Sequence, residues 1–248
     1  MGKVLLVTGG SRGIGAAIAA AAAENGWSVV VNYRAGKADA EQVVTNIRSA
    51  GGTATCVGGD VSRECDVRAI FAHCLERHGR IDGLVNNAGI LHHAGKLETF
   101  DLARWDAVFA VNVRGAFLCS REAVRLMSTR HGGSGGSIVN LSSMAAVLGG
   151  AGEFIDYAAS KGAIESMTVG LAREVGAEGI RINAIRPGLI TTDIHGSSGD
   201  PARAERLATT VPMGRPGSPA EVSEAVVWLL SGAASYVTGA VLAVSGGR

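Results

Sequence analysis

Two residues in this sequence are spaced to move a proton between them and a third party. Tyr157 and Lys161 stand four apart in Tyr157-Ala158-Ala159-Ser160-Lys161, so on a helix both side chains share one face a turn apart. A free phenol titrates near pH ~10 and is a poor proton donor or acceptor at neutral pH. A nearby ammonium favours the phenolate and brings the group toward the range useful for acid–base work. The second chemical feature is Thr8-Gly9-Gly10-Ser11-Arg12-Gly13-Ile14-Gly15, placed after the apolar run Val4–Val7 and before an Ala-rich stretch. A strand, a glycine turn and a helix in that order bring backbone N–H groups and a positive helix end up to a phosphate. The spacing is not the usual G-x-G-x-x-G, because Gly9 is followed by Gly13 and then Gly15.

The second apolar run ends Val31-Asn32-Tyr33-Arg34. A carboxylate there would take hydrogen bonds from an adenosine ribose and favour NAD(H); none is present. Arg12 and Arg34 can instead converge on a 2′-phosphate through charge-assisted, bidentate contacts. The expected cofactor is therefore NADP(H) rather than NAD(H).

These groups need a scaffold that gathers them, and the sequence supplies one. Short β-branched runs at 3–8, 27–32, 53–57, 81–86, 137–141, 180–185 and 240–244 alternate with helical patterns near 14–25, 38–50, 63–78, 101–130, 157–178 and 219–231. Such alternation predicts βαβ units with right-handed crossovers. The predicted fold is α/β: a single-domain, Rossmann-like, doubly wound parallel sheet of about seven strands with helices on both faces, spanning 1–248. In such a sheet ligands sit outside the carboxyl ends of the strands. The glycine turn, Asn86-Asn87-Ala88-Gly89, Ser142-Ser143 and Pro187-Gly188 all fall at strand ends, hence on one rim. The segment 191–219 is long, with Gly, Ser, Pro and charged residues and a weak helical pattern near 201–209, and is expected to form a lid over the substrate.

Composition narrows the function further. The chain has 248 residues, 23 Lys plus Arg against 22 Asp plus Glu, and 47% hydrophobic but only 4% aromatic residues. Neither charge is in excess, which argues against nucleic acid or an anionic membrane as partner. The apolar content is Ala, Val, Leu and Ile, suited to strands buried on both faces. No stretch is long and apolar enough to suggest a signal peptide or a membrane span. Cys56, Cys65, Cys74 and Cys119 show no C-x-x-C spacing and are expected to be reduced thiols in a cytoplasmic protein.

Taken in order, Thr8-Gly9-x-x-x-Gly13-x-Gly15, Asn86-Asn87-Ala88-Gly89, Asn112, Ser143, Tyr157-x-x-x-Lys161 and Pro187-Gly188-x-x-x-Thr192 resemble the motif set of the short-chain dehydrogenase/reductase family, over nearly the whole chain. The resemblance implies Tyr157 as catalytic acid/base and Lys161 as the residue that lowers its pKa and holds the nicotinamide ribose. It implies Ser143 as hydrogen-bond donor to the substrate oxygen and Asn112 as support for a water relay through Lys161. Cofactor contacts would come from Gly9, Ser11, Arg12, Gly13, Ile14, Gly15, Arg34, Asp60, Val61, Asn87, Ala88, Gly89, Tyr157, Lys161, Pro187, Gly188, Ile190 and Thr192. Asp60 would lie by the adenine, and Ile190 and Thr192 by the nicotinamide carboxamide. A homotetramer built on the two long helices near 101–130 and 157–178 is implied as well.

Within this family the sequence is similar to 3-oxoacyl-[acyl carrier protein] reductases and glucose 1-dehydrogenase-like members. The expected activity is hydride transfer between NADP(H) and a small carbonyl or secondary alcohol, with carrier-linked 3-oxoacyl reduction and sugar or polyol oxidation as alternatives. A catalytically silent NADP(H)-binding sensor or scaffold would be marked by a broken tetrad, and the tetrad is intact. Three departures stand out. Ser143 to Tyr157 is one residue longer than is common in the family, a difference that Gly149-Gly150-Ala151-Gly152 can absorb. Glu153-Phe154-Ile155-Asp156 is acidic and apolar by turns just before Tyr157, and Ser245-Gly246-Gly247 replaces the frequent Asp-Gly-Gly. His92 and His93 edge the expected cleft but lack a carboxylate or thiol at ligand spacing, so no metal site is expected. His195 falls in the lid, and Asp66 and Arg68 read as a solvated helix face. Arg130 and Arg173 fall where carrier-protein reductases use basic residues.

Overall fold

The aliphatic runs become seven strands: β1 (Val4–Val7), β2 (Ser28–Tyr33), β3 (Thr53–Gly58), β4 (Gly83–Asn86), β5 (Gly136–Leu141), β6 (Ile180–Pro187) and β7 (Val241–Val244). The computed structural model describes residues 2–192, 200 and 202–248. All strand pairs are parallel, in the order β3-β2-β1-β4-β5-β6-β7. The order reverses between β1 and β4, which makes that junction the switch point where such sheets leave a crevice.

Side chains along the central strands alternate between two cores. Leu5 and Val7 face one with Ile18, Val44, Ile47, Val222 and Val226. Val4 and Leu6 face the other with Val67, Ile70, Leu118, Met127 and Val175. The first core therefore receives α1 (Gly13–Glu24), α2 (Lys37–Ser49) and the helix Pro219–Leu230. The second receives α3 (Glu64–His78), the helix Ala116–Met127 and the long helix Ile155–Val175. Both faces of the sheet are thus apolar, the Rossmann-like arrangement that the near-continuous aliphatic strands predict.

Three helical expectations are revised. The single helix expected at 101–130 is broken into α4 (Leu102–Phe109), capped by Asp101 accepting from the Arg104 N–H at 2.7 Å, a wide π-turn over Ala110–Gly115, and α5 (Ala116–Met127). One extra residue per turn at 110–115 re-aims the side chains there, a device concentrated at functional sites. The helix expected at 157–178 begins two residues earlier, as α7 (Ile155–Val175), after a short α6 (Ala145–Leu148). The weak pattern at 201–209 is a four-residue helix, α8 (Arg203–Arg206), followed by a 3₁₀ turn. By contrast α9 (Pro219–Leu230) starts where Ser218-Pro219 signals it, with Ser218 and Glu221 forming a reciprocal capping box.

Candidate active site

The glycine turn leaves β1 at the switch point and is clipped to the end of β4. Asn87 Nδ2 donates to the carbonyls of Thr8 and Gly9, each at 2.9 Å, and the N–H groups of Asn87 and Ala88 donate to Thr8 Oγ1. Glycine is required here by distance. A Cβ on Gly15 would sit 2.5 Å from both Asn87 Nδ2 and the Gly9 carbonyl oxygen, and one on Gly9 would sit 2.9 Å from Ala88 Cα, at a φ of +61°. The first turn of α1 has neither a side-chain cap nor an acidic residue, so its N–H groups face a cleft of about 310 Å³ lined by Gly9, Ser11, Arg12, Gly13, Ile14 and Gly15.

The other wall of that cleft carries Arg34, Asp60, Val61, Asn87, Ala88, Gly89 and Thr192. Asp60 is fixed by Ser62, whose N–H and hydroxyl both donate to Oδ1 at 2.9 and 2.7 Å. The Asp60 N–H in turn donates to Asp66 Oδ2 at 3.0 Å. Asp66 is therefore part of the frame of this cleft, where sequence reasoning read a solvated face. Arg68 does lie on the surface, paired with Glu64. Arg12 and Arg34 line one cavity, as the 2′-phosphate reading requires, but Arg34 also stands 4.0 Å from Asp60 and the cleft includes Asp39. Uncapped N–H groups, glycine-only approach and two guanidiniums fit a dinucleotide phosphate.

A second cavity, of about 470 Å³, adjoins the first and shares Ile14, Asn87, Gly89 and Thr192 with it. It contains Ser143, Tyr157, Lys161, Pro187 and Gly188. Lys161 is buried, and its Nζ donates to the Leu141 carbonyl at 2.6 Å while standing 5.5 Å from the centroid of the Tyr157 ring. Burial pushes the Lys161 ammonium down to about 8. It pushes the Tyr157 phenol up, with the Ser143 hydroxyl pulling the other way. Where the spacing led us to expect Lys161 to lower the phenol, desolvation dominates and raises it, and the hydrogen bond that pulls it down comes from Ser143.

Both Ser142 and Ser143 line the cavity, but Ser142 donates to Glu165 Oε1 at 2.6 Å, whereas the Ser143 hydroxyl is bonded to the Tyr157 phenol. Asn112 sits within the π-turn and is 2% exposed. Its Oδ1 accepts from the Ile90 N–H at 2.8 Å, and its Nδ2 donates to the Ile90 carbonyl and to Ser160 Oγ, both at 3.1 Å. A Cβ on Gly89 would lie 3.4 Å from Asn112 Oδ1 and 3.7 Å from Lys161 Nζ, so the two flank the same glycine.

Two ion pairs brace this constellation, and neither is legible from spacing. Arg186 donates to both oxygens of Glu165 at 2.6 Å, joining the end of β6 to α7 beside Ser142. Arg104 donates to both oxygens of Asp156 at 2.7 and 3.2 Å and to the His93 carbonyl at 2.7 Å. Both pairs hold their carboxyls below the ordinary range despite burial. The extra length before Tyr157 is taken up by a turn with left-handed glycines at 149, 150 and 152.

Other candidates fall away from the cleft or outside view. His92 and His93 sit on the loop after β4, and no group of three metal-ligating side chains occurs among the described residues. Arg130 pairs with Glu178 at the start-of-strand edge, opposite the cleft, and Arg173 is exposed on α7. His195 lies outside the described residues. Cys56, Cys65, Cys74 and Cys119 are free thiols, and no described helix is long and apolar enough to cross a membrane.

The profile of a family described as enoyl-(acyl carrier protein) reductase matches residues 9–248. The chain is 48% identical over 245 residues to the oxidoreductase YgfF of Escherichia coli, covering 99% of each. It is 40% identical over 247 residues to 3β-hydroxysteroid dehydrogenase 1 of Eggerthella lenta, covering 99% of this chain and 93% of that one. Among solved structures, 3-ketoacyl-(acyl-carrier-protein) reductase of Brucella melitensis, in complex with NADH, superposes with a TM-score of 0.92 at 35% identity, covering 100% of this chain and 98% of that one.

Proposed function

The chain belongs to the short-chain dehydrogenase/reductase family and is an NAD(P)-dependent oxidoreductase, and from that premise we propose that it is an NADP(H)-linked carbonyl reductase worked by Tyr157. The observation that carries this reading is the sharing of one cavity by Ser143, Tyr157 and Lys161, open at Asn87 and Gly89 to the glycine-turn cleft. The nicotinamide, when bound, exchanges a hydride with the carbonyl carbon. Ser143 donates a hydrogen bond to the carbonyl oxygen, polarising it, and Tyr157 passes its proton to the same oxygen as negative charge develops there. Lys161 and Asn112 hold the proton path on the Gly89 side, and Pro187, Gly188, Ile190 and Thr192 bound the nicotinamide end. Arg12 and Arg34 take the 2′-phosphate, with Asp60 and Val61 beside the adenine. The NADH in the Brucella complex belongs to that protein; the absence of an acid at Tyr33 or Arg34 supports the phosphorylated cofactor here.

The whole chain acts as one catalytic unit in this reading; of the segment 191–219, Thr192 and Arg203 line the substrate cleft, while 193–199 and 201 lie outside the described residues. A homotetramer is supported by apolar groups left outside the cores. Leu102, Trp105 and Phe117 lie on α4 and α5, and Trp228, Tyr236 and Leu242 lie around α9 and β7.

NADPH fluorescence followed with a panel of ketones and aldehydes tests the reading. Turnover of at least one carbonyl compound, at least tenfold better with NADPH than NADH, is the expected result. Bound NADPH with no turnover of any panel member would sink it.

The pH profile adds a second check. Lys161 is charged below about pH 8 and loses its charge above it, while the raised phenol stays protonated at neutral pH. Reductive kcat/KM should therefore be level near neutrality and decline above about pH 8, whereas alcohol oxidation, which needs the phenolate, should climb with pH. A reductive rate that rises through that range contradicts the assignment.

A further inference from the structure

The lining of the Tyr157 cavity includes one guanidinium, that of Arg248, without a partner among the described residues. Leu91, Met144, Leu148, Phe154 and Leu189 make much of its wall apolar, and apart from Lys161 its charged lining is Glu153, Arg203 and Arg248. Arg203 is fully committed. Its two terminal nitrogens donate to the two oxygens of Glu153, each at 2.6 Å, and its guanidinium lies 5.2 Å from the Phe154 ring centroid. Arg206, one turn along α8, pairs with Asp200. The Arg248 N–H donates to the Ser245 carbonyl, and its main-chain oxygen accepts from the Ser245 hydroxyl at 3.2 Å. Its guanidinium makes no hydrogen bond or ion pair among the described residues. Arg203 foremost, then Arg206 and Arg248, hold the Glu153 carboxyl below its ordinary range.

A cation at that end of an apolar cleft is poorly compensated unless an incoming group compensates it. The Glu153–Arg203 pair is satisfied within itself, which leaves the Arg248 guanidinium as the donor fork of this end open to an incoming anion. A carboxylate meets a guanidinium through two parallel hydrogen bonds. We propose that the substrate is an oxo acid: a carbonyl at Ser143 and Tyr157, an apolar middle along Leu148, Phe154 and Leu189, and a carboxylate held by Arg248. The segment 153–156, which the tetrad leaves unexplained, then has work at both ends. Glu153 and Phe154 fix Arg203 and shape the acid's end of the cleft, while Asp156 anchors Arg104 beside Tyr157.

This inference rests on the carbonyl-reductase reading, because it names the substrate of the same cleft, and two arms separate the two. In the first, hexanoate and hexanamide, neither of them reducible, are titrated by calorimetry into the protein saturated with NADPH. Hexanoate should bind roughly ten- to a hundredfold more tightly. That advantage should disappear in Arg248→Gln, survive in part in Arg248→Lys, and shrink with added salt. Equal binding of the two probes, or an advantage untouched in Arg248→Gln, overturns the proposal even if the enzyme reduces ketones well. In the second arm, oxo acids with the carbonyl at successive positions are compared with their methyl esters. At least one acid should exceed its ester in kcat/KM by tenfold or more, through KM, and the ratio should collapse in Arg248→Gln. Esters reduced as well as their acids would refute the oxo-acid assignment and leave the reductase standing. Hexanoate selectivity with no turnover of any carbonyl would support the anion site while removing the reductase reading.

Discussion

Tyr157→Phe is expected to lower kcat by roughly 10²- to 10⁴-fold, the contribution typical of a positioned acid–base group, while NADPH binds within about twofold of the wild-type affinity. The substitution deletes one oxygen and keeps the ring beneath Lys161 Nζ, 5.5 Å from its centroid. Packing at the start of α7 therefore changes little, and Lys161 still donates to the Leu141 carbonyl. What is lost is the only phenol in the cleft that also holds Ser143 and Lys161, and with it the proton for the developing alkoxide. Steady-state turnover measured beside fluorescence titration of NADPH separates chemistry from binding. A variant retaining more than a tenth of wild-type kcat would remove Tyr157 from the mechanism, and one that no longer binds NADPH would show that the hydroxyl serves to hold the cofactor.

The second large effect concerns the choice between cofactors. With Arg12 and Arg34 both changed to Ala, NADPH affinity should fall by roughly one to two powers of ten, with NADH affinity altered less than threefold. Hydrogen bonds to charged groups contribute about 1.5–3 kcal/mol each when sheltered, but the Arg34 side chain is 60% exposed and shares its charge with Asp60 at 4.0 Å. The lower part of the range is therefore the better expectation. Paired titrations of the wild type and the double variant with both cofactors decide the matter. Equal losses for NADPH and NADH would mean that these arginines serve the shared pyrophosphate or the fold, and the NADP(H) preference would have to come from elsewhere.

The sheet was readable because aliphatic runs buried on both faces look alike in any context, and parallel connectivity then forces every strand end onto one rim. The glycine turn was readable for a related reason: backbone approach leaves a mark in residue type, as the 2.5 Å clearance at Gly15 shows. The π-turn at Ala110–Gly115 was not readable, because one additional residue per turn barely disturbs apolar periodicity over so short a stretch. Nor was the start of α7 at Ile155. Phe154 occupies its N-cap position and offers no side-chain hydrogen bond, so the usual punctuation is missing. Arg104–Asp156, Arg186–Glu165 and Arg203–Glu153 join residues that only the folded sheet brings together. Asp66 was misread because its service to the Asp60 N–H depends on how β3 enters α3.

The reversal of strand order at β1 and β4 also sets a timetable. During synthesis β1, β2 and β3 emerge first with α1 and α2, and they can pair as neighbours without waiting for the rest of the chain. They hold Arg12, Arg34 and the glycine turn, the anion-gripping half of the cleft. Ser143, Tyr157 and Lys161 come later, and Pro187 and Gly188 close their side only when β6 docks on β5. Pairings between distant stretches of chain are the slow ones. A nascent or refolding molecule thus gains the means to seize a nucleotide before it gains the means to react, and the nucleotide's affinity can favour completion of the catalytic half.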